Sequence, residues 1–399
     1  MKHNTRFVFN DVAGYDSPAS SRGLIYAIRT DAQHATEFLQ KNIFDYLRSD
    51  ARNTETDAQL KKRIRGVVHG AYETWGHDII RATSEHLDYS KYNIEKPHKQ
   101  FLEVHFYRAH DLATEAVKKA NTLIKENPAY DGKPVLYVSL DSMIEKHGEH
   151  EVQVAFSRLF SLNGTQQFGY VGRPGTKDLD DQIREVRDTL KKLKEQHGEP
   201  IPFILLEDNV RYAKTLNWII EKMEQNGVFE HGELAGISTC FCCATPDQRS
   251  LIKQGGKTVP LVMAVDYKDA KVDVTTPRDL LFDGFVVQIG EEQGQNNPIT
   301  NTSRLPGIFM NVAERFKIRP EKSEAFRDTV KRTNIEFCCN VQRELEINIP
   351  VSWFVGADAI SHVSGHSADT PMAQVISDAK EYMPANSNIK QHQPLKAAP

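Results

Sequence analysis

The stretch from Phe203 to Leu216, FILLEDNVRYAKTL, decides how this chain of 399 residues is organised. Its first four residues are apolar, and the run is short enough to form a buried β-strand. Two carboxylates, Glu207 and Asp208, come next and are followed by a short polar loop. An apolar helical pattern begins at Thr215 and stops at Gly227, a typical C-terminal signal. The stretch therefore predicts a strand with two acids at its carboxyl end, then a loop and a helix.

This arrangement is typical of a ligand site. In open α/β sheets, ligands bind at the carboxyl edge of the strands. Helix N-termini and curled loop amides bind phosphate groups. Two carboxylates beside a phosphate site suit a sugar phosphate, with the acids on its hydroxyl groups or on the water molecules of a Mg²⁺ ion. An ordinary strand, loop and helix with two solvated acids is the alternative interpretation.

The same residues resemble the phosphoribosyltransferase family. Its motif has four apolar residues, two acids, a short loop containing Thr-Gly, and a closing Thr or Ser before an apolar residue. Glu207 and Asp208 match the acidic pair, in the order of the orotate branch, and Thr215 with Leu216 matches the closing pair. The resemblance covers one strand, loop and helix. It implies binding of 5-phosphoribosyl 1-diphosphate (PRPP) and transfer of its ribose 5-phosphate to a base or similar acceptor, with release of pyrophosphate.

The resemblance also implies roles for individual residues. Glu207 and Asp208 would hold the ribose hydroxyls, and they would contact a Mg²⁺ cofactor through hydroxyls or water. The 5-phosphate would be bound by the loop and the start of the helix, which comprise Tyr212, Ala213, Lys214 and Thr215.

Two loop positions depart from the family pattern. Tyr212 stands where the family has Thr or Ser, and Ala213 stands where it has Gly. An Ala costs about 1 kcal/mol if its φ must be positive. The Tyr212 side chain would either crowd the phosphate or offer its hydroxyl instead. These departures favour a second hypothesis, in which the chain is a non-catalytic regulatory or binding module with a phosphoribosyltransferase fold.

An upstream strand supplies further candidates. The apolar run 135–140 predicts a strand that ends at Asp141 and Ser142, and the resembled family holds pyrophosphate after its first core strand. A simple turn is the alternative interpretation. A third hypothesis combines Asp141 with the acidic pair in a phosphatase or another Mg²⁺-dependent enzyme.

A glycine-rich segment lies between these two strands. The residues 168–178, FGYVGRPGTKD, include Arg173 and Lys177. A mobile basic loop of this kind would suit a lid over phosphates. The resemblance implies that both side chains stabilise the departing pyrophosphate, and a surface turn is the alternative.

Strands and helices alternate from residue 131 to residue 270, which predicts an α/β fold with a parallel sheet. We expect a hairpin of 285–289 and 304–309, appended to this sheet, to form a hood. The predicted regions are a mainly helical N-terminal region at 1–128, a phosphoribosyltransferase-like core at 129–272, the hood with C-terminal helices at 273–385, and a disordered tail at 386–399.

Local patterns predict individual elements in these regions. Apolar periodicity predicts helices that begin near Asp31 and His110 and a helix at Asp57–Leu87. The runs 6–9 and 23–28 are interpreted as short strands. Thr245 as N-cap, with Pro246 at the first position, predicts the start of a further helix.

Composition narrows the class of protein. Hydrophobic residues make up 39% and charged residues 26%, which is ordinary for a soluble globular protein. The net charge of −4 gives no bias toward nucleic acid or anionic membranes. No apolar run is long enough for a transmembrane helix or a signal peptide. We therefore expect a cytoplasmic protein with a small-molecule substrate and no membrane partner, and homo-oligomerisation stays open.

Other motifs carry less weight. Five cysteines, in the groups STCFCC and EFCCN, predict buried thiols and not a disulfide framework or a zinc site. His362 and His366 would bind a transition metal if they shared one helix face, but Gly365 between them weakens that pattern. The chain has no GxxxxGK[ST], GxGxxG or GxSxG motif, so nucleotide triphosphatases, Rossmann dehydrogenases and α/β-hydrolases have little support.

Overall fold

The computed structural model describes residues 4–9, 24–30, 32–51, 53–86, 101–141, 144, 150–161, 167–211, 213–267, 271–275, 277–282, 284–289, 302–310 and 318–379. Two candidate site residues, Ser142 and Tyr212, lie outside this described part, as does the predicted disordered tail at 386–399.

The described residues form strands and helices that we number in chain order. The strands are β1 (Asn4–Phe9), β2 (Leu24–Thr30), β3 (Phe101–Arg108), β4 (Leu136–Ser139), β5 (Glu151–Gln153), β6 (Phe156–Phe160), β7 (Gln167–Gly172), β8 (Ile201–Val210), β9 (Gly232–Cys242), β10 (Lys253–Gln254), β11 (Lys257–Thr258), β12 (Leu261–Asp266), β13 (Lys271–Thr275), β14 (Phe285–Gln288) and β15 (Thr302–Leu305). The helices are α1 (Ala32–Ser49), α2 (Asp57–His86), α3 (Ala109–Lys125), α4 (Leu179–His197), α5 (Lys214–Gln225), α6 (Pro246–Ser250), α7 (Ser323–Leu345), α8 (Ala357–Ser364) and α9 (Met372–Asp378).

A five-stranded parallel sheet with the order β12-β9-β8-β4-β5 confirms the predicted α/β class. The chain first forms β4, adds β5 on one side, and then places β8, β9 and β12 on the other side. The direction of sheet growth therefore reverses between β4 and β8. Such a reversal leaves a crevice at the carboxyl ends of the two strands, where ligands bind in doubly wound sheets.

The apolar half of β8 is buried on both faces. Phe203 and Leu205 pack in a core with α4 and α5, whereas Ile204 and Leu206 pack in a second core with α3. A strand covered on both sides needs consecutive apolar residues, which explains the run at its start. The strand is longer than predicted and continues to Val210, so the acidic pair belongs to the strand itself.

A hairpin is present, but its second strand lies at Thr302–Leu305 and not at 304–309, and its expected attachment to the central sheet is wrong. β14 and β15 pair antiparallel with each other, and β14 pairs in parallel with β6. β6 in turn pairs antiparallel with β7, giving a separate four-stranded sheet with the order β15-β14-β6-β7. The sequence pattern does not predict β6, which pairs with the neighbouring β7 and with β14, a strand distant in sequence.

The N-terminal region contains the helices that its periodicity predicts. α2 spans Asp57–His86, one residue shorter than expected, and α1 and α3 begin within one residue of their predicted starts. β1 and β2 were predicted, whereas β3 was not. These three strands form a parallel sheet with β13 in the order β1-β3-β2-β13.

A third apolar core joins the N-terminal helices to the C-terminal ones. α1 and α2 pack there with α7, α8, α9 and the β14–β15 pair. A buried hydrogen bond of 2.6 Å from Trp75 Nε1 to Asn334 Oδ1 links α2 to α7. None of the described helices combines the length and the apolar character that a membrane span requires.

The two glycines that flank α8 allow a matched test of this packing. Both have a left-handed φ, +81° at Gly356 and +71° at Gly365. A Cβ at Gly356 would overlap the carbonyl oxygen of Arg304, whereas a Cβ at Gly365 would meet no atom within 4 Å. We expect Gly365→Ala to lower the free energy of unfolding by about 1 kcal/mol. Gly356→Ala should lower it by about 3 kcal/mol or more. Equal losses in urea denaturation would contradict this packing of α8 on β15.

Candidate functional site

The carboxylates predicted from two separate motifs come together at the reversal between β4 and β8. Ser139 of β4 pairs with Leu206 of β8, and an aspartate follows each of them two residues later: Asp141 just beyond the end of β4, and Asp208 within β8. The two strands therefore present Asp141 and Asp208 at the same level of the sheet edge. Glu207 lies beside them and pairs in register with Thr239 of β9.

Arg173 is held against this edge by three hydrogen-bonding contacts. Its backbone N–H donates to the carbonyl of Ala155 at 3.0 Å, and its Nε donates to the carbonyl of Phe156 at 3.1 Å. Its Nη2 lies 3.4 Å from Oδ2 of Asp141, in an ion pair whose side chains are only 15% and 7% exposed. Arg173 therefore lies directly after β7 with its guanidinium in contact with β6 and Asp141, and a lid role for this segment stays a prediction.

The pKa of Glu207 is raised well above its ordinary value of 4.5. Burial of the carboxyl is the largest cause, and the negative charge and hydrogen bond of Asp208 add to it, as does the charge of Asp141. Arg173 acts in the opposite direction. The Oε2 atom of Glu207 is buried and has no hydrogen-bond partner among the described residues. The raised pKa favours the protonated form of Glu207, and its buried Oε2 is an atom that a ligand could satisfy.

The loop after β8 enters α5 through a left-handed residue. Ala213 has a φ of +58° and a ψ of −8°, which is the conformation that the family's Gly would take without strain. Ala213 is also buried. Ala213 is the N-cap residue of α5, and its side chain makes no capping hydrogen bond. N–H groups at a helix start that the N-cap side chain does not satisfy can bind an anion.

Thr215 is bound to an aromatic residue that the sequence analysis did not single out. The hydroxyl of Tyr170 on β7 lies 3.0 Å from the hydroxyl of Thr215. The ring of Tyr170 stacks on Trp218, with centroids 4.4 Å apart. One signal was available in the sequence, because Trp218 lies three residues after Thr215 and so occupies the same side of a helix.

The two predicted lysines are not brought into the cluster of carboxylates. Lys177 lies on the surface, and its Nζ is 2.6 Å from Oε2 of Glu185 on α4. The hydrogen bond and charge of Glu185, with the charge of Asp181, raise the pKa of Lys177. Lys214 is an exposed residue at the start of α5.

The histidine pair and the cysteines were the remaining candidate sites. α8 ends before His366, because Gly365 takes a left-handed conformation, so the two histidines do not share one helix face. In the part of the chain that the structure describes, no three His, Cys, Asp or Glu side chains are arranged to hold a metal ion. The cysteines are free, and three are buried as predicted, whereas Cys243 is half-buried and Cys339 is exposed.

Comparisons with known proteins give no relative, since no family model, curated protein or solved structure matches this chain. The resemblance to phosphoribosyltransferases therefore stays a prediction from the residues of β8, its loop and α5.

The raised pKa of Glu207 predicts a pH-dependent stability. The unfolded chain releases this proton above a pH of about 4.5, whereas the folded protein keeps it. The free energy of unfolding should therefore fall as the pH rises toward the folded pKa, by at most about 1.4 kcal/mol per pH unit. Glu207→Gln, which mimics the neutral acid, should remove this fall.

Urea denaturation between pH 5 and pH 8 measures the effect. Glu195→Gln, which changes an exposed glutamate on α4, controls for the loss of one carboxyl. Parallel pH profiles for the wild type and Glu207→Gln would show that Glu207 is ionised in the folded protein.

Proposed function

We propose that this chain is a phosphoribosyltransferase-like protein that binds PRPP at the carboxyl edge between β4 and β8. It transfers ribose 5-phosphate to a base or similar acceptor and releases pyrophosphate. One observation carries the proposal: the acidic pair on β8 stands at the reversal of the sheet and leads directly to a left-handed residue at an uncapped helix N-terminus. Acids, loop and helix thus follow one another in the order that a sugar phosphate requires.

The 5-phosphate binds at the start of α5 in this proposal. Ala213 takes the left-handed conformation despite its Cβ, so the loop has the backbone shape expected of a Gly at that position. The N–H groups of Ala213, Lys214 and Thr215 then meet the phosphate, and the Thr215 hydroxyl adds a further donor. The exposed Lys214 contributes positive charge near the helix N-terminus, which complements the dianion.

The ribose hydroxyls bind the acidic pair. Asp208 accepts hydrogen bonds from them, and a protonated Glu207 both accepts and donates. These side chains also fit a Mg²⁺ ion, because it prefers oxygen ligands and because Glu207 has a buried oxygen without a partner. As the family resemblance implies, the acids would contact the ion through substrate hydroxyls or water. The bound ion would neutralise charge on the diphosphate.

Arg173 faces the departing pyrophosphate in this proposal. Its contacts with Asp141 and Phe156 hold the guanidinium in one place, so little side-chain entropy remains to be lost on binding. Lys177 can join it only if its surface pair with Glu185 opens. Displacement at the anomeric carbon then passes through an oxocarbenium-like state, and the protein contributes positioning and charge stabilisation.

A second candidate is a phosphoribosyltransferase-fold module without catalysis. It is favoured by Ala213 at the Gly position and by the raised pKa of Glu207, because an acid that keeps its proton stabilises an oxocarbenium-like state less than a carboxylate does. This module would bind PRPP without transfer, or would not bind it. The phosphatase hypothesis loses support, because Asp141 is nearly fully buried and is paired with Arg173.

The first test is calorimetric titration of PRPP with Mg²⁺ into the purified protein. We expect saturable binding that requires Mg²⁺ and is weakened roughly 10- to 100-fold in Asp208→Asn, the range for losing hydrogen bonds to a charged group. Asp188→Asn, at an exposed position on α4, should bind as the wild type does.

Three results of this test have distinct meanings. No binding at millimolar PRPP would overturn the proposal. Equal affinity of the wild type and Asp208→Asn would exclude the acidic pair from the site. Normal binding without turnover of any nucleobase acceptor would identify the non-catalytic module.

A further inference from the structure

The hairpin of β6 and β7 touches both ends of the proposed site. Tyr170 on β7 meets Thr215 of the phosphate-binding helix at 3.0 Å. Three residues further along the same segment, Arg173 meets Asp141 at the carboxyl end of β4. One short element of the second sheet therefore contacts both the place for the 5-phosphate and the place for the pyrophosphate.

Both the ring and the hydroxyl of Tyr170 make contacts that fix the side chain. Its ring stacks on Trp218 at 4.4 Å with an interplanar angle of 29°. Phe156 of β6 completes the cluster, with its centroid 5.8 Å from that of Tyr170 and 6.1 Å from that of Trp218. The carbonyl of the same Phe156 accepts the hydrogen bond from Arg173 Nε. The hydroxyl of Tyr170 is therefore aimed at Thr215 by packing that also positions Arg173.

An anion at the start of α5 would decide which of the two hydroxyls donates. A Thr hydroxyl has one proton and two acceptor lone pairs. If that proton goes to a phosphate oxygen, the Thr215 oxygen is left to accept from Tyr170. The Tyr170 hydroxyl then donates a hydrogen bond to the Thr215 oxygen, and the Thr215 hydroxyl donates one to the phosphate. The unpartnered buried oxygen of Glu207 independently indicates a ligand at this edge of the sheet.

We propose that Tyr170 is a positioning residue for the phosphate-bearing ligand, because it orients the Thr215 hydroxyl and ties that helix to the segment that carries Arg173. This inference rests on the proposed function for the place of the phosphate. It extends that function by giving the second sheet a part in ligand binding.

A double-mutant cycle on ligand affinity tests the inference. Ribose 5-phosphate and PRPP with Mg²⁺ are titrated into the wild type, Tyr170→Phe, Thr215→Ala and the double variant. Tyr170→Phe keeps the stack on Trp218 and removes only the hydroxyl. We expect it to weaken ribose 5-phosphate binding roughly 2- to 10-fold, the range for one hydrogen bond. The double variant should bind as weakly as Thr215→Ala alone, because Tyr170 acts only through Thr215.

Two controls separate positioning from general stability. Tyr137→Phe removes another tyrosine hydrogen bond, to Asn121 on the opposite face of the sheet, and should leave affinity unchanged. Thr215→Ser keeps the hydroxyl and should remain sensitive to Tyr170→Phe. Additive losses in the double variant, or an equal loss of affinity in Tyr137→Phe, would overturn the inference.

The two ligands distinguish failure of this inference from failure of the proposed function. If PRPP binds but Tyr170→Phe changes neither affinity, the inference is wrong and the function stands. If ribose 5-phosphate binds with the expected dependence on Tyr170 while PRPP binds no more tightly, the inference stands and PRPP is not the substrate. If neither ligand binds, both are wrong.

Discussion

The structure depends on a change of environment along β8. Its first half is covered by helices on both faces, so it accepts only apolar side chains. Its second half reaches the carboxyl edge of the sheet, beside the point where the strand order reverses between β4 and β8. There it carries two acids. The apolar half fixes the strand in the sheet, and this fixed strand carries the acids at a defined level beside β4. The second half of β8 can carry polar side chains because the apolar first half already anchors the strand in the sheet.

Three carboxyl groups, those of Asp141, Glu207 and Asp208, lie at this edge near the partly buried guanidinium of Arg173. Arg173 pairs with Asp141, whereas burial of the Glu207 carboxyl and the negative charges of Asp208 and Asp141 raise the pKa of Glu207. A ligand with hydroxyl groups at one end and anionic groups at the other suits this distribution, because the acids meet the hydroxyls while Arg173 and the start of α5 meet the anions. The second sheet supplies Arg173 and Tyr170, so the site is built from two sheets and not from β8 alone.

Much of the fold follows from local patterns in the sequence. α2 was predicted at Asp57–Leu87 and is found at Asp57–His86, and Thr245 with Pro246 begins α6 with the capping box of Thr245 and Gln248. These predictions succeed because helix periodicity and capping involve residues a few positions apart. The acidic pair and Ala213 of the candidate site were identified from an equally local pattern, the motif at 203–216.

The contacts that assemble the site are not local, and the sequence does not show them. Tyr170 meets Thr215 across 45 positions of the chain, and Arg173 meets Asp141 across 32. Neither contact has a periodicity or a spacing that a single sequence displays. β3 and β6 were missed for a similar reason, since a short strand is stabilised by the partners it pairs with and not by its own propensity. The hairpin of β14 and β15 was predicted, but the sheet that it joins was not, because β14 enters that sheet by pairing with β6.

The pairing of β13 with β2 has a consequence for how the protein is made. In the order β1-β3-β2-β13, Lys271 lies opposite Leu24, so one edge of β2 pairs with β13. In the sequence, β13 follows all the strands of the central sheet. A ribosome adds roughly 5 to 20 residues each second. The nascent N-terminal sheet therefore waits many seconds for its last strand, and during that time β2 offers unpaired backbone groups to other chains.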